Sequence, residues 1–224
     1  MKLILVIILM CFFNSSWSDD GVLPKILYIG DSHSYGKLGT TIEKNLKPIS
    51  SHLVLESSCG STPGTWLSKT GREKTVCGFW KKDGETEIRT TEHANPKLSD
   101  ELANYHPDIT IVQLGTNIAA NEHPLNSSAN IEQVLQEIEL TNSRCIWIGP
   151  PDANSKVVTK EKLKITNDLL INLTTIHGCQ YVDSLKLTTF PLDSKEGIHY
   201  PPSLSAKWGE DVSKLILELI AQKK

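Results

Sequence analysis

The sequence predicts an α/β chain of three layers, an α/β/α sandwich in which helices cover both faces of a mostly parallel central sheet. Three observations lead there: short β-rich apolar runs recur along the chain, stretches with helical apolar spacing separate them, and the runs end in glycine or polar turns. Strands that alternate with helices pair in parallel through right-handed crossovers, which places helices on both sides of the sheet.

The first run is Lys25–Gly30, KILYIG, and the pattern returns at 51–56, 108–114 and 145–149, with a last short strand at 180–183. Helices are expected over 36–46, 98–105, 131–140, 160–176 and 203–221. In the fourth of these, Leu163, Leu169, Leu170 and Leu173 recur at helical intervals. Residues 61–95 have little apolar periodicity and carry Gly64, Gly71, Gly78 and Gly84, which predicts a loop-rich insertion over the site, with Trp66, Phe79 and Trp80 available for packing or for a ligand. There is no internal repeat and no low-complexity tract.

The opening MKLILVIILMCFFNSSWSDD sets one lysine before an apolar run and then small residues, the layout of a secretory signal peptide cleaved after Ser18. The apolar stretch from Leu3 to Phe13 is shorter than the roughly 20 residues that cross a bilayer, so a membrane span is not expected. Lipid attachment at Cys11 is a minor alternative, poorly served by the bulky Met10. Residues 19–224 then form one domain, secreted or periplasmic and expected to be a monomer.

Setting Cys11 aside leaves Cys59, Cys77, Cys145 and Cys179, an even count that reads as two disulfides in an exported chain. Three pairings are possible, and proximity favours Cys59 with Cys77 and Cys145 with Cys179. No pair has zinc-knuckle spacing, so no metal is expected. A net charge of −3 without a long basic run points away from nucleic acid, and the lysines at 223–224 read as a solvated tail.

Sites in open α/β sheets lie beyond the carboxyl ends of the strands, so those exits decide where chemistry is sought. The first strand leads into Gly30-Asp31-Ser32-His33-Ser34, where Ser32 stands at the start of a helix; alone it would be read as an N-cap. The 108–114 strand leads into Gly115-Thr116-Asn117, whose side-chain amide could donate to a developing oxyanion. Near the C-terminus, Glu196 stands three residues before His199 in a proline-rich turn, a spacing that lets a carboxylate hold one imidazole nitrogen while the other takes a serine proton. His33 is expected to be a bland neighbour of Ser32. His52, His93, His106, His123 and His177 lack ligand-like spacing and read as surface residues, and Asp31 reads as a turn acceptor. Asn126-Ser-Ser128 and Asn172-Leu-Thr174 match a glycosylation acceptor pattern.

Together with Gly60, these motifs resemble the four blocks of the SGNH hydrolases, also called GDSL esterases, in the family's order from Tyr28 to His199. The resemblance implies a flavodoxin-like α/β/α fold, Ser32 as nucleophile, His199 as base, and an oxyanion hole from Asn117 and Gly60 in Ser58-Cys59-Gly60-Ser61, with Gly64 as second choice for the latter. Two departures stand out. Ile118 replaces the acid often found after the block-three asparagine, and Glu196 replaces the aspartate of the last block, leaving Glu196, Asp193 or neither to orient His199. Ile146-Trp-Ile-Gly149-Pro150-Pro151 looks like the family's fourth-strand exit, where prolines shape the cleft. The G-x-S-x-G elbow of ordinary α/β-hydrolases is absent. The implied activity is cofactor-free hydrolysis of an ester, with an acetyl group on a cell-wall or matrix glycan as the leading substrate. A lysophospholipase or thioesterase, or a non-catalytic carbohydrate-binding protein on the same fold, is the alternative.

Overall fold

The computed structural model describes residues 22–69, 73–192 and 196–222. The expected signal peptide at 1–18, Cys11, Gly71, Asp193 and the final lysines lie outside these residues. Seven strands form one sheet: β1 (Lys25–Gly30), β2 (His52–Ser58), β3 (Phe79–Asp83), β4 (Thr86–Thr90), β5 (Ile109–Gln113), β6 (Arg144–Ile148) and β7 (Gln180–Val182). The helices are α1 (Lys37–Leu46), α2 (Pro63–Trp66), α3 (Leu98–Tyr105), α4 (Thr116–Ala119), α5 (Ser128–Leu140), α6 (Lys160–Ile176) and α7 (Pro202–Ala221). The strand order is β4-β3-β2-β1-β5-β6-β7; β2, β1, β5, β6 and β7 run parallel, and the β3–β4 hairpin adds two antiparallel strands at the β2 edge.

Alternation along β1 produces the two outer layers, because successive side chains of a strand point to opposite faces. Ile26 and Tyr28 pack with Leu38 and Ile42 of α1 and with Trp208, Val212 and Ile216 of α7. Leu27 and Ile29 belong to the opposite core, with Leu102 of α3, Val134 of α5 and Leu170 of α6. Leu38, Ile42 and Leu46, one helical turn apart, are all fully buried, and each contributes roughly 1.5–3 kcal/mol of burial as an upper estimate. The helix gives way to a 3-10 turn at Lys47–Ile49, where Pro48 brings no amide hydrogen to continue the ladder. This bears out the three-layer expectation.

The segment 61–95 is less loop-like than its composition predicted, because it carries the β3–β4 hairpin. Its turn signal, Asp83-Gly84, stands in the sequence, and Gly84 takes the positive φ of +55° that such turns require. The strands were hidden because they are short, charged and largely exposed toward the sheet edge, so no clean apolar alternation marks them. Trp66, Phe79 and Trp80 are at most 2% exposed, which makes them core residues, so of the two expected uses, packing or a ligand, they serve packing. The hairpin is tied down by Lys81, which pairs with the buried Glu56 of β2 and lies 3.3 Å from Glu101 of α3. Burial and the neighbouring Glu101 push the Glu56 carboxyl up to about 8, against the pull of Lys81.

Disulfides join Cys59 to Cys77 and Cys145 to Cys179, the pairing that proximity favoured. The first ties the exit of β2 to the entrance of β3. Among the described residues, no helix is long and apolar enough to cross a membrane.

Candidate active site

Register brings the strand ends level: Gly30 lies opposite Ser57 of β2 and Gln113 of β5. The chain switches direction across the sheet at β1, so the loops after β1 and β5 open a crevice at their carboxyl ends. Ser32 sits there, half-buried, in the turn between β1 and α1. Within that turn Asp31 Oδ1 accepts from the His33 amide at 3.0 Å, and the Asp31 carbonyl accepts from the Ser34 amide at 3.1 Å.

Neighbouring strands clamp the same turn. Ser57 Oγ donates to the Asp31 carbonyl at 2.7 Å, and Ser61 Oγ donates to the Gly30 carbonyl at 3.3 Å. From the β5 side, Gln113 Oε1 accepts from Ser34 Oγ at 2.7 Å, and the Tyr28 hydroxyl lies 2.7 Å from Ser34 Oγ. Sequence reasoning missed Ser34, Ser57, Ser61 and Gln113 as site supports. Their only signal was polarity at strand ends surrounded by apolar residues.

His199 precedes α7 and reaches Ser32, with Nε2 2.8 Å from Ser32 Oγ. Its Nδ1 is 2.6 Å from Glu196 Oε1. The other carboxylate oxygen accepts from the His199 amide and, at 3.2 Å, from the Ile198 amide. Glutamate thus folds back over its own turn and grips both the ring and the backbone, which is how the extra methylene is accommodated. Gly197 makes that turn possible: it has φ +82°, and a Cβ there would come within 2.5 Å of the Asn154 carbonyl.

Electrostatics separate the carboxylates. Burial works against ionisation of Glu196, but the hydrogen bonds from His199 and its charge outweigh it and hold the carboxyl below its ordinary value. Asp31 is fully buried, and desolvation pushes it up to about 7 although the His33 amide, His199 and Gln113 pull the other way. His33 is buried as well, its ring 5.0 Å from that of His199 and edge-on to Trp208 at 5.4 Å. Burial, then the charge of His199, lowers the His33 imidazole to about 3, so it forms a neutral wall beside His199. The other histidines are exposed or half-buried; His52 pairs with Asp83 at 2.7 Å and His93 stacks on Phe79.

Asn117 lies in the first turn of α4 and donates through Nδ2 to the Ser61 carbonyl at 2.9 Å. Because that nitrogen carries two hydrogens, one fixes the amide and the second remains for another acceptor. Just ahead of it, Gly115 packs against Pro150 after β6, and a Cβ at Gly115 would lie 2.5 Å from Pro150 Cδ. Gly60 has φ +76° and follows Cys59 of the first disulfide directly. Gly64 is buried inside α2. Among the described residues no cluster of His, Cys, Asp or Glu could hold a metal ion.

No family model and no curated protein matches the sequence. The fold nevertheless has solved counterparts. A structure described as an arylesterase from Agrobacterium tumefaciens str. C58 superposes with a TM-score of 0.63 at 15% identity, covering 88% of this chain and 99% of that one. A carbohydrate acetylesterase from Sinorhizobium meliloti, Est24, gives 0.62 at 15% identity over 87% of this chain and 99% of its own. An esterase from Pseudoalteromonas sp., EstA, gives 0.59 at 14% identity over 88% and 98%. At these identities the likeness establishes a shared fold, the three-layer fold that the SGNH resemblance implied.

Proposed function

We propose that this chain is an SGNH-type serine esterase, a carboxylic ester hydrolase with Ser32 as nucleophile and His199 as general base. The unbroken contact from Ser32 Oγ through His199 to Glu196, at 2.8 and 2.6 Å, carries the reading. As Ser32 Oγ attacks the ester carbonyl carbon, its proton passes to His199 Nε2, and Glu196 steadies the imidazolium through Nδ1. The carbonyl electrons move onto oxygen, where the Ser32 and Gly60 amides and the second Asn117 N–H receive the charge. Collapse expels the alcohol, which takes the proton from His199. Water then attacks the acyl-serine by the same route, releasing the acid and restoring Ser32.

Gly60 is preferred over Gly64 as the second donor. It precedes Ser61, whose side chain touches the β1 exit and whose carbonyl holds Asn117, whereas Gly64 lies further along the chain, in α2. The leader-like residues 1–18 and the two disulfides support export to an oxidising compartment. The substrate within this reading is a short acyl ester, an acetyl group on a glycan. A lipid hydrolase would need a long apolar channel. The non-catalytic reading drew on the substitution at Glu196, and the contact of Glu196 with His199 supports the catalytic reading instead.

Turnover of p-nitrophenyl acetate and longer homologues by the oxidised protein, beside Ser32→Ala and Glu196→Ala, tests this. Ser32→Ala abolishes turnover, and Glu196→Ala lowers kcat by between about 10² and 10⁴. Undiminished turnover in Ser32→Ala would remove the proposal.

A further inference from the structure

A cleft of about 330 Å3 lies between the start of α2 and the segment that runs from the end of α4 into α5. Its wall begins at Thr62, next to the Ser61 whose carbonyl holds Asn117, and continues to Asn121 beyond α4 and to Asn126, Ser127 and Asn130 around the start of α5. The volume lies within the span of small-molecule sites, about 300–1,000 Å3.

The chemistry of the lining is narrow. Three side-chain amides and two hydroxyls face Pro63 and Gly64, and among the described residues no charged side chain lines the cleft. A phosphate or carboxylate would find no cation there, and an acyl chain would have to strip amides of water without replacing those bonds. Asn121 Nδ2 makes only a long 3.4 Å contact to Ser127 Oγ. No described residue hydrogen-bonds the side chains of Asn126 and Asn130, one exposed and the other half-buried. Each amide offers donors and an acceptor together, which matches hydroxyl groups that both donate and accept.

We propose that this cleft is the subsite for the alcohol half of the ester and takes an uncharged polyhydroxylated ring, a sugar, with Asn121, Asn126 and Asn130 hydrogen-bonding its hydroxyls. The inference rests on the esterase reading. It adds where the sugar sits and which side chains select it.

The test compares 6-O-acetylglucose with p-nitrophenyl acetate, using protein from a bacterial host so that Asn126 carries no glycan. In Asn121→Leu and in Asn130→Leu, the ratio of kcat/KM for the sugar ester to that for p-nitrophenyl acetate falls about tenfold, carried mainly by KM, as loss of one or two hydrogen bonds to a bound hydroxyl requires. An unchanged ratio in both variants overturns the subsite, as does a parent enzyme that turns over p-nitrophenyl acetate but not the sugar ester. Calorimetric titration of Ser32→Ala with 6-O-acetylglucose reads binding without turnover. Heat of binding that disappears in the Ser32→Ala, Asn130→Leu double variant supports the subsite; its persistence there contradicts it. Failure of the esterase reading has a different signature, namely no hydrolysis of either ester by the parent protein.

Discussion

The amide of Leu38 donates to Ser205 Oγ at 3.0 Å, so the helix that follows Ser32 is capped by a side chain from the helix that follows His199. These helices, α1 and α7, lie on the same face of the sheet and touch closely, since a Cβ at Gly209 would lie 2.8 Å from Thr41 Cβ. The helices that follow Ser32 and His199, distant in sequence, are therefore fastened directly to each other. Ser205→Ala removes the cap at a cost of about 1 kcal/mol, which lowers Tm by about 2–4 °C in a calorimetric scan.

Asn117 and Gly115 act on the same donor by different means. Under the esterase reading, Asn117→Ala loses its bond to the Ser61 carbonyl and the donor to the developing oxyanion, and because the second bond is absent from the ground state, kcat for p-nitrophenyl acetate falls by about 10²–10³ with little change in KM. Gly115→Ala forces its methyl against Pro150, destabilises the fold by about 1–3 kcal/mol and displaces Asn117 with it. Denaturant unfolding and steady-state kinetics on the pair separate the two effects.

Asp31 makes a prediction about pH and stability. Its carboxyl, ordinarily ionised above about 4 in the unfolded chain, stays protonated in the fold up to about 7. Between those values the folded state binds the extra proton, so this group's contribution to stability falls as pH rises through the window and is level above it. Asp31→Asn retains an acceptor for the His33 amide and removes the ionisable group. Tm of the variant relative to the parent therefore rises between pH 4 and 7, by an amount worth a few kcal/mol at most. A parent and variant whose Tm profiles stay parallel across that window would contradict the buried-acid assignment.

The two disulfides should separate stability from turnover. Replacing Cys59 and Cys77 by serine opens a loop of sequence separation 18, and replacing Cys145 and Cys179 opens one of 34. Each costs about 3–4 kcal/mol in the loop-entropy account. Only the first also releases Gly60, so at a temperature where both variants remain folded its kcat falls while that of the second holds near the parent value.

Much of this was legible in the chain. The parallel strands announced themselves through runs such as KILYIG because strands buried on both faces are apolar throughout. Ser32, Asn117 and His199 were visible because each stands at a strand exit or beside a proline turn, and Glu196 because its spacing from His199 is local. The β3–β4 hairpin was not, since β4 is an exposed edge that imposes no periodicity on TEIRT, and FWKKD buries only its two adjacent aromatic residues. The roles of Trp66, Phe79 and Trp80 were open for a related reason: an aromatic residue reads alike in a core and in a binding face. Gln113, Ser57 and Ser61 became intelligible only once register placed β2 and β5 on either side of Gly30. The amide cleft likewise draws on α2, α4 and α5, and no local pattern joins them.

The most direct measurement is fluorophosphonate labelling of the oxidised protein followed by peptide mapping in the mass spectrometer. An adduct on the peptide containing Ser32, absent in Ser32→Ala and strongly slowed in His199→Ala, is the result this account predicts. A protein that stays unlabelled, or carries its adduct on another residue, would contradict Ser32 as the activated nucleophile.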